Sequence, residues 1–130
     1  MHFYTAIVRP VLEYACPVWH LVLTAGQCNA IEKIQKRAIH VIYSESDNDY
    51  GTGLIVASMD SLKNRREILM AIFLTKQVLA TDALLHSLLP ERRDNDTIRS
   101  LNNSQPFSSF RARKNKFHKS FLLYCLKNFT

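Results

Sequence analysis

Glycine and proline are scarce in this chain, with three Gly and four Pro among 130 residues. Turn-rich β-sandwiches and barrels need both in quantity, so the shortage argues against them and favours helices. Cysteine is also thin. Cys16, Cys28 and Cys125 are odd in number and widely spaced, with no C-x2-C pair. Neither a disulfide framework nor a zinc knuckle is supported, and a reducing compartment fits best. Long apolar runs are missing too. The longest, Ile68 to Leu74, falls far short of the roughly 18 residues a bilayer span requires. Arg9 and Glu13 interrupt the apolar N-terminus, where the h-region of a secretory signal would be unbroken. These absences point to a soluble or peripherally bound intracellular protein, of nucleus or cytoplasm.

What is present suits one helical domain. Hydrophobic residues make up 47% and charged residues 22%, clear of the disordered class and enough for a modest core. The charge is unevenly placed. Residues 1–60 hold four cations against six acids, a net of −2, whereas residues 61–130 hold 13 against five, a net of +8. From Arg111 to Thr130 there are six cations and no acid. Such a bias suits a polyanion partner or a solvated basic face.

The periodicity predicts an all-α fold, a small bundle of three to four helices with a short helical, basic C-terminal extension. A first helical stretch is expected from about His2 to His20, kinked or restarted at Pro10 and bent near Cys16, because proline removes a donor and restrains its predecessor. Val11, Tyr14, Ala15, Val18 and Trp19 fall at helical spacing and are expected to face the core. Thr24 with Gln27 forms a capping box for a second helix. There Cys28, Ile31, Ile34, Gln35, Ala38, Val41 and Ile42 make the inward stripe, and Glu32, Lys33, Lys36, Arg37 and His40 the outer side. Ser44 to Gly53 reads as a polar loop, and Leu54 to Ser58 as one or two turns that lay Leu54, Ile55 and Val56 on the core. A third helix, capped at Asp60 or Ser61, is expected to reach about Ala80 with Leu62, Leu69, Ile72, Phe73 and Leu79 inward. Asp82 should cap a brief helix from Ala83 to Leu88, closed by Pro90. Residues 1–90 thus read as a helical bundle, and 91–130 as a polar linker followed by a basic-aromatic segment. A final amphipathic helix between Phe117 and Phe129 would turn Phe117, Phe121, Tyr124 and Cys125 to one side.

Cys16 and His20, four residues apart, could share a helical face as metal ligands, but no second pair stands at ligand spacing. The histidines show no nucleophile-and-carboxylate arrangement around them. No cofactor is implied.

The most informative string is Tyr4-x3-Val8-Arg9-Pro10-Val11-Leu12-Glu13-Tyr14-Ala15-Cys16-Pro17-Val18-Trp19-His20, followed by Leu23-Thr24 and Ile31-Glu32-Lys33-Ile34-Gln35-Lys36-Arg37-Ala38. It resembles the C-terminal, post-palm region of the reverse transcriptase of non-LTR (LINE-type) retrotransposons. The resemblance continues in order through Ser61-Leu62-x2-Arg65-Arg66, Leu85-His86-x2-Leu89-Pro90, Arg111-x-Arg113 and Ser120-Phe121-x2-Tyr124-Cys125. It implies that residues 1–90 are thumb-like, in a family where such a region grips the template–primer duplex. The implied partner is RNA or an RNA–DNA duplex.

Polymerases of that family hold magnesium with palm aspartates, including an adjacent pair, because a hard cation needs closely spaced carboxylate oxygens. Here Asp47, Asp49, Asp60, Asp82, Asp94 and Asp96 include no adjacent pair. The chain is therefore expected to be no enzyme, but a truncated reverse-transcriptase fragment with at most residual nucleic-acid binding. Met1 lies close to where the similarity begins, which fits a fragment of an element. Missing polymerase domains or a self-association partner would then cover apolar surface. The alternatives are a host-adopted interaction module and a product without function.

The candidate nucleic-acid contacts are Arg65, Arg66, Arg111, Arg113, Lys114, Lys116 and Lys119. Arg65 and Arg66 diverge by about 100° around a helix, so at most one can meet a given phosphate. The other is expected to pair with Glu32, Glu67 or a helix-end carbonyl. The C-terminal cations interleave with Phe107, Phe110, Phe117 and Phe121, a pattern in which cations track a backbone and rings stack on bases. Phe117 and Phe121 are the rings expected to anchor the segment to the core instead.

Overall fold

The computed structural model describes residues 1–43, 49–100, 105–108, 113–114, 117 and 119–130. Every regular element among them is helical. The one extended pairing among the described residues is an isolated antiparallel bridge between Arg92 and Phe107. No helix among them is long and apolar enough to cross a membrane. The chain divides into two compact units, Met1–Leu69 and Met70–Thr130, and the division falls inside one long helix.

In the first unit a π-helical turn, Tyr4–Val8, runs directly into helix α1, Arg9–Glu13. Pro10 sits in the first turn of α1, where its missing N–H costs little. The expected break at Pro10 is therefore a widened turn: Arg9 N–H reaches back five residues to the Tyr4 carbonyl. The real corner comes at Tyr14, which is extended with ψ 129°, and Ala15, which is left-handed with φ 50° and ψ 27°. A Cβ in that region costs about 1–2 kcal/mol. Beyond it lie α2, Cys16–Trp19, with Pro17 in its first turn, and a 3₁₀ turn over His20–Val22.

That corner resets the helical phase and overturns the expected apolar stripe. Val11, Tyr14 and Val18 are 72%, 79% and 79% exposed, and Ala15 is exposed as well, while Tyr4 and Cys16 are buried.

Helix α3, Ala25–Ile42, carries the capping box the sequence predicts: Gln27 N–H donates to Thr24 Oγ1, and Thr24 N–H donates to Gln27 Oε1. Its inward face keeps buried Gln35 and half-buried Cys28, Ile31 and Ala38 of the expected stripe, and departs from it at the margins. Gln35 and Ile39 are buried and Glu32 is half-buried, whereas Ile34 and Val41 are exposed. Residues 44–48 of the expected loop lie outside the described residues. From Tyr50 onward the chain is helical: α4 spans Tyr50–Val56, capped by Asp49, whose Oδ2 accepts from Gly51 N–H. Gly53 is buried there, and a Cβ on it would meet Ile39 Cγ2 at 2.8 Å, so glycine is what lets α4 approach α3. Leu54 is half-buried, but Ile55 and Val56 face solvent, contrary to expectation.

A polar network fills the first unit's interior. Tyr4 Oη donates to Gln35 Oε1 at 2.8 Å, and Gln35 Nε2 donates to the Asp60 carbonyl at 3.0 Å and to Tyr50 Oη at 3.2 Å. Tyr50 Oη in turn donates to Glu32 Oε1 at 2.5 Å, and the same oxygen accepts the Leu62 N–H at 3.2 Å. One carboxylate thus binds a phenol and caps the start of the next helix. Burial pushes the Tyr4 hydroxyl up to about 12. Burial, followed by the bond to Glu32, raises that of Tyr50.

Helix α5, Leu62–Phe73, opens with Ser61 Oγ accepting the Asn64 N–H and continues as a π-helical segment, Leu74–Val78. Its buried positions are Leu62, Arg66, Met70, Leu74 and Val78, every fourth residue. A four-residue step overshoots an α-helical turn by about 40°. The π segment, in which Leu79 N–H donates to the Leu74 carbonyl, widens the last turn and brings Val78 back beneath Leu74. The expected stripe was right at Leu62 and wrong at Ile72, which is 43% exposed.

The second unit is simpler. The expected brief helix is a 3₁₀ segment, Leu84–Leu88, with Ala83 rather than Asp82 at its cap position and no side-chain cap bond. His86 Nδ1 lies 3.1 Å from the Val78 carbonyl. The stretch expected to be irregular contains α6, Asn95–Ser100, flanked by the bridge that pairs Arg93 N–H with the Pro106 carbonyl at 2.9 Å. Helix α7, Phe121–Asn128, buries Cys125 and Leu126 and sets Phe121 edge-on against Phe73, with ring centroids 5.4 Å apart. Burial raises the Cys125 thiol to about 12, the behaviour of an inert core sulfur. Phe117, expected as an anchor, is 51% exposed.

Candidate nucleic-acid interface

Arg65 and Arg66 diverge around α5 as two successive helical residues must. Arg65 turns to α1. Its Nε and Nη2 donate to Glu13 Oε1 and Oε2 at 2.5 and 3.2 Å, a forked pair whose side chains are 30% and 11% exposed. The bond to Glu13 raises the Arg65 pKa above its ordinary value. Its acid is therefore Glu13, not Glu32 or Glu67. Two of its five N–H donors, and its charge, are thus committed to a carboxylate, which makes it a weaker phosphate contact than a free guanidinium.

Arg66 turns inward and has no exposed surface. Its Nε donates to His20 Nδ1 at 3.1 Å, and its Cζ lies 5.8 Å from the centroid of the Trp19 ring, near the outer limit for a cation–π contact. Nη1 and Nη2 have no hydrogen-bond partner among the described residues. A hydrogen bond to a charged group recovers about 1.5–3 kcal/mol, less than the several kcal/mol that desolvating a guanidinium costs. Its single bond also fixes the histidine: arginine always donates, so His20 accepts at Nδ1 and must be neutral there. Burial, then Arg66 itself, lowers the His20 pKa below 6.5. Burial raises that of the Cys16 thiol one turn earlier.

Of the C-terminal candidates, Arg113, Lys114 and Lys119 are exposed, and Arg111 and Lys116 lie outside the described residues. Phe117 stands exposed among the described three, Phe107 is half-buried, and Phe110 lies outside the described residues. The five described candidates thus fall into two groups. Arg65 and Arg66 belong to the first unit and are engaged within it; the described C-terminal cations belong to the second and face solvent. No group of three or more His, Cys, Asp or Glu side chains able to hold a metal occurs among the described residues.

The Arg66–His20–Trp19 cluster escapes a reading based on apolar residues alone. One signal for it is present in the sequence. Leu62-x3-Arg66-x3-Met70-x3-Leu74 places an arginine at a core position of an otherwise apolar series. The same holds for Gln35, four residues after Ile31 and four before Ile39.

Comparison with protein-family models, with curated proteins and with solved structures gives no match.

Proposed function

We propose that this chain corresponds to the post-palm, thumb-side region of a non-LTR retrotransposon reverse transcriptase: a small helical bundle with a basic C-terminal extension, without polymerase activity of its own. In this reading its residual capacity is to bind an RNA–DNA duplex through the C-terminal cations. The observation that carries the binding is the exposure of Arg113, Lys114 and Lys119 around an exposed Phe117 in a segment free of acids. Exposed cations in such a segment can neutralise phosphates, and an unburied ring beside them can stack on a base. Arg65 and Arg66 drop out of the contact set on this reading, since Glu13 and the interior hold them.

Fluorescence anisotropy with a labelled RNA–DNA duplex, titrated with salt, tests the proposal. Affinity is expected to fall steeply with salt. Changing Arg113, Lys114 and Lys119 together to Gln should lower the log–log slope by about 3. Substituting Arg65 should leave the slope unchanged. Absence of binding at low salt refutes the reading.

A second reading, a helical protein–protein interaction module, draws on a different observation. Phe3, Ile7 and Val11 stand four apart on the N-terminal helical stretch and are 69%, 54% and 72% exposed. An apolar row of this kind suits burial against a partner or a second copy. Light scattering over a range of concentrations tests it, and a constant monomer mass speaks against self-association.

A further inference from the structure

The buried arginine's one hydrogen bond among the described residues reaches the first unit's α2 corner. We propose that His20 and Arg66 form a proton-operated latch, in which neutral His20 holds the segment Cys16–Val22 against α5 and protonated His20 releases it. Three features of the geometry carry this. Arg66 is fully buried, and its one hydrogen bond among the described residues goes to His20 Nδ1. That bond needs a lone pair on Nδ1, which protonation removes, replacing an acceptor with a second cation at 3.1 Å. The segment itself is short, held besides by the buried Cys16 side chain and by Trp19 Nε1–H donating to the Tyr14 carbonyl at 2.7 Å. It begins at the left-handed Ala15, holds one turn of α2 and one of 3₁₀ helix, and ends in extended Leu23.

The surrounding charges are few. Lys63 and Arg66 of α5 oppose a proton on His20, and Glu67 of the same helix favours one. On the segment itself, His20 N–H donates to the Cys16 carbonyl, and the Cys16 thiol is buried and neutral. The balance agrees with the lowered His20 pKa, burial being its largest cause. The sign follows. A folded pKa below the unfolded value gives stability that is complete above about 6.5 and is lost as the pH falls through the folded value. The latch is thus closed at neutral pH and opens on the acid side of the ordinary histidine range.

Trp19 is the chain's single tryptophan and lies over Arg66, so the molecule carries its own reporter. The test follows Trp19 emission and its quenching by acrylamide, a neutral quencher, in the full chain from about pH 7.5 to about pH 5. Emission should shift to the red and quenching should rise as the pH falls. In His20→Gln, whose side-chain oxygen can still accept from Arg66 Nε but cannot be protonated, both should stay flat. An identical response in the two proteins overturns the latch, because the remaining histidines would then account for it. If His20→Gln fails to fold, ¹⁵N NMR of the wild-type imidazoles decides. The latch requires His20 to carry its proton on Nε2 at neutral pH and to titrate together with the Trp19 signal. A His20 protonated on Nδ1, or one that titrates without moving Trp19, sinks it.

Discussion

The two units of this chain bury different chemistry. In Met1–Leu69 the fully buried side chains include Gln35 and Arg66, and the helices are tied together by side-chain bonds between residues far apart in sequence. In Met70–Thr130 the buried residues among those described are all apolar: Met70, Leu74, Val78, Cys125 and Leu126. Apolar burial is non-directional and supplies most of the stabilisation. Buried polar groups contribute less net energy, but each tolerates only the arrangement that satisfies it. The first unit is accordingly the more specified of the two, and the second is held mainly by the area it removes from water.

Four substitutions probe that contrast, from the largest effect to the smallest. Leu74→Ala removes a fully buried side chain from the apolar set and should cost about 2–5 kcal/mol in urea unfolding. Arg66→Met keeps an unbranched side chain of comparable length while discarding a buried charge whose two terminal nitrogens lack partners. It should be neutral or stabilise the protein by about 1–4 kcal/mol, and a large loss would show that the guanidinium is better satisfied than its geometry indicates. Two glycines give a matched pair by thermal melting. Gly53→Ala forces a methyl to 2.8 Å from Ile39 and should destabilise by about 1–3 kcal/mol. Gly26→Ala, in the first turn of α3 with nothing within 4 Å, should stabilise by about 0.4–1 kcal/mol.

How much of this was legible beforehand differs from element to element. Helix α3 was legible at its start, because Thr24 and Gln27 specify a cap through contacts three residues apart. Its inward face was legible at Gln35 but not at Glu32, whose partners Tyr50 and Leu62 lie 18 and 30 residues away. The α1–α2 corner was legible in place, since the prolines predict a restart at Pro10 and a bend near Cys16. It was not legible in kind: both prolines fit first turns, and extended Tyr14 with left-handed Ala15 makes the corner and shifts the apolar face. For the candidate interface, the divergence of Arg65 and Arg66 followed from helical geometry. Glu13 as the partner of Arg65 did not, being 52 residues away.

The sequence by itself determined that this protein is helical, where its best-capped helix begins, and how its positive charge gathers toward the C-terminus. Those properties rest on composition and on interactions within a few residues. Only the tertiary structure decided that Arg65 pairs with Glu13, which glutamate caps a helix, and that an arginine lies buried against a histidine and a tryptophan. Each of those outcomes depends on groups brought together from distant parts of the chain, and short-range periodicity carries no record of them.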